Sequence, residues 1–206
     1  MTRSLPPEPE FGAALPAPAR SEEVLRFLAL RRSASAATLA EPAPSAEELA
    51  ELLRLAARAP DHGKLFPWRF IVLEGEAKAA FVSRLEALAG DCAEPDKARG
   101  ALFKLRIPPM GVVVVSRFIE GKIPEWEQRL SAGAVALGLV NGAQAMGYGA
   151  NWITDWYAFD PRVDAVLGLA EGEKIAGFVY LGTAGEPPLE RVRPDVANLT
   201  SWWTPA

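Results

Sequence analysis

The chain has 206 residues, of which 50% are hydrophobic, enough to bury one substantial core but few for two domains. Its formal net charge of −4 gives no large basic face for nucleic acid. One cysteine, Cys92, and one histidine, His62, exclude an internal disulfide and leave too few ligands for a Cys/His zinc site. We therefore expect a reduced, cytoplasmic, single-domain protein with no metal and no nucleic acid partner.

Two segments need interpretation before the core is assigned. Residues 1–20 are proline-rich and lack the apolar run of a signal peptide, so we expect a flexible or surface-draped extension. Residues 131–150 carry no charge and contain Gly138 and Gly142 at the spacing that lets membrane helices approach, so a membrane span is an alternative. Because the segment is mostly alanine and glycine, with two side-chain amides, we favour a helix buried in protein.

The predicted elements alternate without the strict strand–helix–strand order of a doubly wound sheet, which indicates an α+β fold. In chain order the periodicity and boundary signals predict helices over 21–33 and 45–60, a strand over 68–74, helices over 76–90 and 95–106, a strand over 111–118, a long helix over 125–147, a strand over 149–155, a short helix over 160–168 and a strand over 173–183.

The boundaries of the first two helices carry the clearest local signals. The first helix places Val24 and Leu28 on an apolar side and puts Arg31 and Arg32 in its last turn, where cations suit the helix dipole. The second begins at a capping box, in which a serine at 45 is followed by a glutamate three residues later, and it stops at Pro60. The end of that helix leads directly into the loop that carries the histidine.

Common nucleotide and hydrolase motifs do not occur. No glycine-rich dinucleotide fingerprint follows a strand, and no P-loop sequence is present. A Ser-His-Asp arrangement has no G-x-S-x-G elbow to support it. The remaining candidates are single polar residues.

Two of these candidates can bind a phosphate or a ring. The tripeptide at 31–33 offers two guanidiniums and a hydroxyl, which suit a phosphate or a ring carbonyl, although a solvated helix end is the alternative. His62 lies in a short turn between a helix and a strand, where an imidazole can meet a phosphate or a flavin, although a polar loop residue is the alternative. Cys92 lies in a connection between helices, and we expect no redox role for it.

Taken in order, these signals resemble a known family. The stretch "RRSASAATLAEPAPSAEELAELLRLAARAPDHGKLFPWRFIVLEG" resembles the N-terminal signature of the nitroreductase family, in particular its compact YdjA-type branch. The stretches "PEWEQRLSAGAVALGLVNGAQAMGYGANW" and "KIAGFVYLGT" are similar to the start of its long central helix and to its last core strand. The resemblance covers about residues 21–185.

The resemblance implies a nitroreductase-like α+β fold: a central, mostly antiparallel sheet flanked by helices, with a long buried central helix. It also implies an intertwined homodimer with shared flavin sites, in which residues 21–206 form one domain and a C-terminal arm from about 185 crosses to the partner. In such a dimer the long helix is buried against the partner, and Ala134, Gly138 and Gly142 are expected to set the distance between the two helices.

The implied activity is that of an FMN enzyme. NADH or NADPH reduces the flavin at N5, and an electron-poor acceptor such as a nitroaromatic or a quinone reoxidises it in a ping-pong reaction, so no side chain is an obligatory catalyst. Two alternatives remain at this point. One is a non-catalytic flavin-binding regulator on the same fold, and the other is a related flavin enzyme such as a dehalogenase.

The resemblance also implies the residues that contact the cofactor. The first motif is matched by Arg31, Arg32 and Ser33, with Ser35 at a position where some members of the family carry lysine. The second motif, expected to reach the flavin from the other chain, is matched by Arg58 and His62.

A third set of contacts follows the long helix and is matched by Trp152, Ile153 and Thr154, with Ile153 where the branch has arginine. Arg193 or Arg191 is expected to bind the phosphate, and residues 142–147 are expected to approach the nicotinamide.

Overall fold

The structure, a computed structural model, describes residues 5–205. The helices are α1 Glu22–Leu30, α2 Ala46–Ala56, α3 Gly75–Ala89, α4 Pro95–Ala101, α5 Phe103–Arg106, α6 Glu125–Ala145 and α7 Pro161–Val166. The strands are β1 Leu39–Ala40, β2 Trp68–Glu74, β3 Met110–Arg117, β4 Gly149–Ile153 and β5 Glu173–Ala184.

The five strands form one antiparallel sheet with β5 at its centre. β5 pairs along one side with β3, which in turn pairs with β2. On its other side β5 pairs with β4, so that Leu181 lies opposite both Met110 and Ala150. The two-residue strand β1 pairs with the last two residues of β5. The predicted mostly antiparallel α+β fold is confirmed.

Helices cover both faces of this sheet, which explains the uninterrupted apolar run of β3. Val113 and Val115 point into a core that α3 and α7 complete, whereas Val112 and Val114 point into a second core completed by α2 and α6. All four valines are fully buried. A strand buried on both faces has no polar alternation, as the sequence of β3 shows.

Helix α1 is shorter than the sequence predicted. It begins after the cap Ser21 and ends at Leu30, and Arg31 has extended backbone angles, φ −58° and ψ 136°. The chain leaves the helix here because the backbone N–H of Ala34 donates to the carbonyl of Ala150 in β4 at 3.0 Å. The expectation that Arg31 and Arg32 occupy the last helical turn is therefore wrong.

The apolar side of α1 is about half exposed in the part of the chain that the structure describes. The helix has no buried residue, and its aliphatic side chains are 42% to 62% exposed: Val24, Leu25, Leu28 and Leu30. An isolated helix of this length is marginal in water, because its hydrogen bonds barely offset the cost of nucleation. Packing within residues 5–205 therefore contributes little to the stability of α1.

Helix α6 packs against α2 of the same chain through its small residues. A Cβ at Gly138 would lie 3.1 Å from the Cα of Ala56, and a Cβ at Gly142 would lie 2.7 Å from Cδ1 of Leu52. The expectation that these glycines set a helix distance between two chains is wrong, because the face that carries them is already occupied by α2. The exposed stripe of α6 consists of other side chains: Trp126, Leu130 and Leu137.

Two smaller differences concern local structure. The predicted helix over 95–106 is divided at Leu102 into α4 and α5, and β1 was not predicted at all.

In the N-terminal extension, the N–H of Leu5 donates to Oε1 of Glu51 at 3.2 Å and Arg54 donates to the carbonyl of Pro6 at 2.8 Å. These contacts lay part of the extension along α2, while its separation from the domain stays a prediction.

No helix within residues 5–205 combines the length and the apolar character that a membrane crossing needs.

Candidate functional site

The first predicted motif forms an extended segment between α1 and the sheet. The guanidinium of Arg31 donates to Oε1 of Gln144 at 3.4 Å and to Oγ of Ser33 at 3.5 Å. Both partners are neutral, so these contacts leave the positive charge of Arg31 uncompensated. The contact with Gln144 holds the guanidinium of Arg31 against α6.

Arg32 links the motif to the C-terminal arm. Its Nε donates to the carbonyl of Leu189 at 2.9 Å and lies 4.0 Å from Oε1 of Glu190. The same Glu190 oxygen accepts from Nε of Arg193 at 3.0 Å. The N–H of Arg191, followed by the charge of Arg193, lowers the pKa of Glu190. The structure thus places Arg193, one of the two arm residues expected to bind the phosphate, near Arg32.

Two cavities lie beside this motif. One, of about 300 Å³, is lined by Arg32, Ser33, Ser35 and the start of the arm at 186–190. The other, of about 450 Å³, is lined in part by Arg31, Gln144 and residues of α1. The hydroxyl of Ser35 accepts from the N–H of Ala37 at 3.3 Å and keeps its own hydrogen available to a ligand.

A buried amide adds an acceptor to the same region. The side-chain nitrogen of Asn151 in β4 donates to the carbonyl of Ala34, next to the motif. Its Oδ1 is buried and accepts no hydrogen bond from any residue between 5 and 205. Leaving a buried acceptor unsatisfied is unfavourable, so this atom would be stabilised by an N–H or O–H donor.

The second predicted motif lies elsewhere in the chain. Arg58 and His62 are exposed on the loop 57–67, and Nδ1 of His62 lies 2.6 Å from Oε2 of Glu127 on α6. His62 and Glu127 line a cavity of about 320 Å³, and none of its lining residues also lines the cavities beside Arg31 and Arg32. Within one chain the structure does not join the first and second motifs.

The third predicted set is divided between surface and core. Nε1 of Trp152 donates to the carbonyl of Ala176 at 3.4 Å. The indole occupies the space above Gly177, where a Cβ would lie 2.1 Å from Nε1. The indole borders a cavity of about 260 Å³. Ile153 packs against the core and Thr154 is exposed. The side chain of Ile153 therefore serves packing, and a flavin contact at this residue stays a prediction.

The sequence did not predict the contacts of three residues that organise these groups: Gln144, Glu190 and Glu127. Gln144 lies in the segment 142–147 that was expected to approach the nicotinamide, but its contact with Arg31 was not foreseen. The contact of Gln144 with Arg31 spans 113 residues of sequence and that of Glu127 with His62 spans 65, while Glu190 approaches Arg32 from the arm. Pattern periodicity reports only local neighbours, so no local signal was available for these pairs. Residues 5–205 contain no group of three or more His, Cys, Asp or Glu side chains placed to hold a metal ion.

The sequence and the fold match known proteins. The model of the "Nitroreductase family" matches residues 28–183. The chain is 42% identical over 166 residues to the putative NAD(P)H nitroreductase YdjA of Escherichia coli K12, a match that covers 78% of this chain and 88% of that protein.

Two solved structures share the fold. A nitroreductase-like family protein from Bacillus cereus superposes with a TM-score of 0.77 at 22% identity, covering 91% of this chain and 99% of that one. A nitroreductase with bound FMN from Bacteroides fragilis superposes with a TM-score of 0.68 at 20% identity, covering 89% of this chain and all of that one (100%). The family match spans well over half of the chain, and this protein belongs to the nitroreductase family.

Proposed function

We propose that this protein is an FMN-dependent NAD(P)H oxidoreductase that reduces electron-poor acceptors such as nitroaromatics or quinones. The observation that carries the proposal is the segment Arg31–Ser33, which sets a guanidinium without an ion pair among residues 5–205, a second guanidinium and a hydroxyl beside two cavities. The 42% identical relative is named a putative NAD(P)H nitroreductase, and a structural neighbour is described with FMN bound. A location in the cytoplasm stays a prediction.

The residues present suit FMN. Its phosphate and ring carbonyls need cationic and N–H or O–H donors, which Arg31, Arg32 and the hydroxyl of Ser35 supply. Its ring N–H and ribityl hydroxyls need acceptors, and Oδ1 of Asn151 is an acceptor without a partner among the described residues. Arg193 adds a third guanidinium from the arm, partly compensated by Glu190.

When bound, FMN supplies the redox chemistry between the nicotinamide and the acceptor. The protein then has to bind, orient and stabilise charge. Guanidinium and hydroxyl donors held in place before the reaction stabilise negative charge on a reduced ring better than water does, because they need no reorganisation. We assign this role to Arg32 and Ser33, and phosphate binding to Arg31 and Arg193.

The uncovered apolar surfaces support a homodimer with shared sites. Helix α1 has no buried residue, and α6 exposes the stripe of Trp126, Leu130 and Leu137. The arm exposes Trp202 and Trp203 at its end. Apolar surface on this scale normally marks an interface, because leaving it in water is unfavourable. A second copy covering these surfaces brings the loop of Arg58 and His62 toward the first motif of its partner.

The first experiment is the visible spectrum of the purified protein, before and after anaerobic addition of NADH or NADPH. We expect flavin bands that bleach with the nicotinamide and return with a quinone or nitroaromatic, and chromatography of the heat-released cofactor should identify FMN. A colourless protein that takes up no added FMN contradicts the proposal. A protein that binds FMN but turns over no acceptor indicates the regulator instead.

The dimer has its own test. Sedimentation at several concentrations should give twice the mass of one chain, and deletion of the arm after residue 185 should weaken the dimer. A truncated protein that remains fully dimeric contradicts the proposed crossing of the arm.

A further inference from the structure

The loop that carries His62 is fixed to helix α6 at two points. Oγ of Ser131 donates to the carbonyl of Pro60 at 2.7 Å and accepts from Nε1 of Trp68 at 3.2 Å. One turn earlier on the same helix, Oε2 of Glu127 lies 2.6 Å from Nδ1 of His62. Residues at i and i+4 share one face of a helix, so both anchors come from the same side of α6.

The backbone of the loop is constrained as well. Lys64 and Phe66 have positive φ, 57° and 48°, a conformation that residues with a Cβ rarely adopt. The N–H of Phe66 donates to Oδ2 of Asp61 at 2.8 Å and closes the loop on itself. Such backbone strain persists only where surrounding contacts hold it, and it concentrates at ligand sites.

The contact with Glu127 decides which ring nitrogen of His62 is free. An ionised carboxylate only accepts hydrogen bonds, so the hydrogen in the 2.6 Å contact belongs to Nδ1. When the ring is neutral, Nε2 then carries no hydrogen. When the ring is charged, Nε2 carries a hydrogen that is not donated to Glu127. Either way, Nε2 is the atom left for a ligand.

Folding stability does not account for this pair. The His62 side chain is 62% exposed and that of Glu127 is 42% exposed. An ion pair so open to water contributes little to the free energy of unfolding, because water screens it and its side chains lose freedom. What the pair does achieve is to fix the orientation of one imidazole beside a cavity of about 320 Å³.

We propose that Glu127 is a positioning residue: it holds Nδ1–H of His62 and thereby presents Nε2 to the flavin. This inference rests on the proposed function, in which His62 contacts FMN. Carboxylate partners that orient imidazoles at metal and catalytic sites act in the same way.

The single histidine of the chain makes the proposal directly measurable. In the cofactor-free protein, at a pH where the ¹⁵N shifts themselves show a neutral ring, ¹⁵N–¹H correlation spectra report which nitrogen of His62 carries the hydrogen. We expect wild type to show hydrogen on Nδ1, and Glu127→Gln to keep that tautomer because the amide oxygen also accepts. Glu127→Ala should shift the ring toward hydrogen on Nε2.

A double-mutant cycle then tests the consequence for the cofactor. Glu127→Ala and His62→Ala should each weaken FMN binding roughly threefold to tenfold, the range expected for one lost hydrogen bond. The double variant should bind no more weakly than His62→Ala, because Glu127 acts through the ring. The matched control is Glu125→Ala, which removes the same charge from the same helical turn but is paired with Arg129 at 2.6 Å.

The outcomes separate this proposal from the proposed function. An unchanged tautomer in Glu127→Ala, additive losses in the double variant, or an equal loss in Glu125→Ala overturns the positioning role. A protein that binds no FMN at all overturns the proposed function, and with it the role toward FMN, whereas the tautomer measurement still decides whether Glu127 sets the ring.

Discussion

Substitution at Gly138 tests the close approach of α6 to α2. A Cβ there would lie 3.1 Å from the Cα of Ala56 and 3.3 Å from its carbonyl oxygen, so helix backbone, which cannot rotate away, has to move. In Gly138→Ala this strain opposes a gain of roughly 0.5–1 kcal/mol in helix propensity, so we expect little net change in stability. Gly138→Leu adds three further carbons and should destabilise the fold by about 3 kcal/mol or more, beyond ordinary overpacking.

The matched control is Gly133→Ala on the same helix. Its Cβ would meet only Cη2 of Trp152, at an ordinary contact distance of 3.8 Å, so the propensity gain should appear in full. In thermal unfolding at one fixed protein concentration, this corresponds to a rise of roughly 1–4 °C, against a fall of roughly 6 °C or more for Gly138→Leu. Equal melting temperatures for wild type and Gly138→Leu would refute the reasoning.

Three further predictions concern the site and its titratable groups. Replacing Arg31 and Arg32 together by alanine should strip FMN while the far-ultraviolet circular dichroism stays that of wild type; a full flavin complement contradicts their assignment. Arg69 donates two hydrogen bonds of 2.7 Å to Glu173 and lowers the pKa of that carboxyl below its ordinary value of 4.5. This contribution to stability is present above about pH 4.5 and is lost as the pH falls through the lowered pKa of the folded state. Glu173→Gln should therefore flatten the acid side of the stability profile in urea unfolding, and an unchanged slope opposes the assignment. Alkaline difference spectra should show almost no tyrosinate in the folded protein near pH 10, whereas the unfolded chain titrates there. A hydrogen bond to Glu48 raises the pKa of Tyr148 to about 12. Burial raises the pKa of Tyr157 to about 12 and that of Tyr180 further.

Local signals in the sequence located most of the elements. The capping box predicted at Ser45 is present, with the Ser45 hydroxyl accepting from the N–H of Glu48 and the Glu48 carboxylate accepting from the N–H of Ser45. The cap at Asp160 and the proline after it begin α7 as predicted. Both are determined by residues within one turn of each other, which is the range that propensity and capping report.

Non-local contacts explain what the sequence did not predict. Helix α1 stops early because Ala34 is drawn to Ala150, 116 residues away by the numbering, and β1 exists only because β5 offers it a partner. The glycines of α6 correctly predicted a close helix approach, but not that α2 is the neighbour. For the site, the residue types were visible, whereas the contacts of Gln144, Glu190 and Glu127 depend on the fold.

The central position of β5 affects how this chain is made. β5 is the last strand in the sequence, yet it pairs with β1, β3 and β4. During synthesis only the β2–β3 pair can form early. The two apolar faces of the sheet therefore cannot be completed until residues 173–184 have left the ribosome. We expect the nascent chain to stay open, and dependent on chaperones, until Ala184 at the end of β5 has emerged.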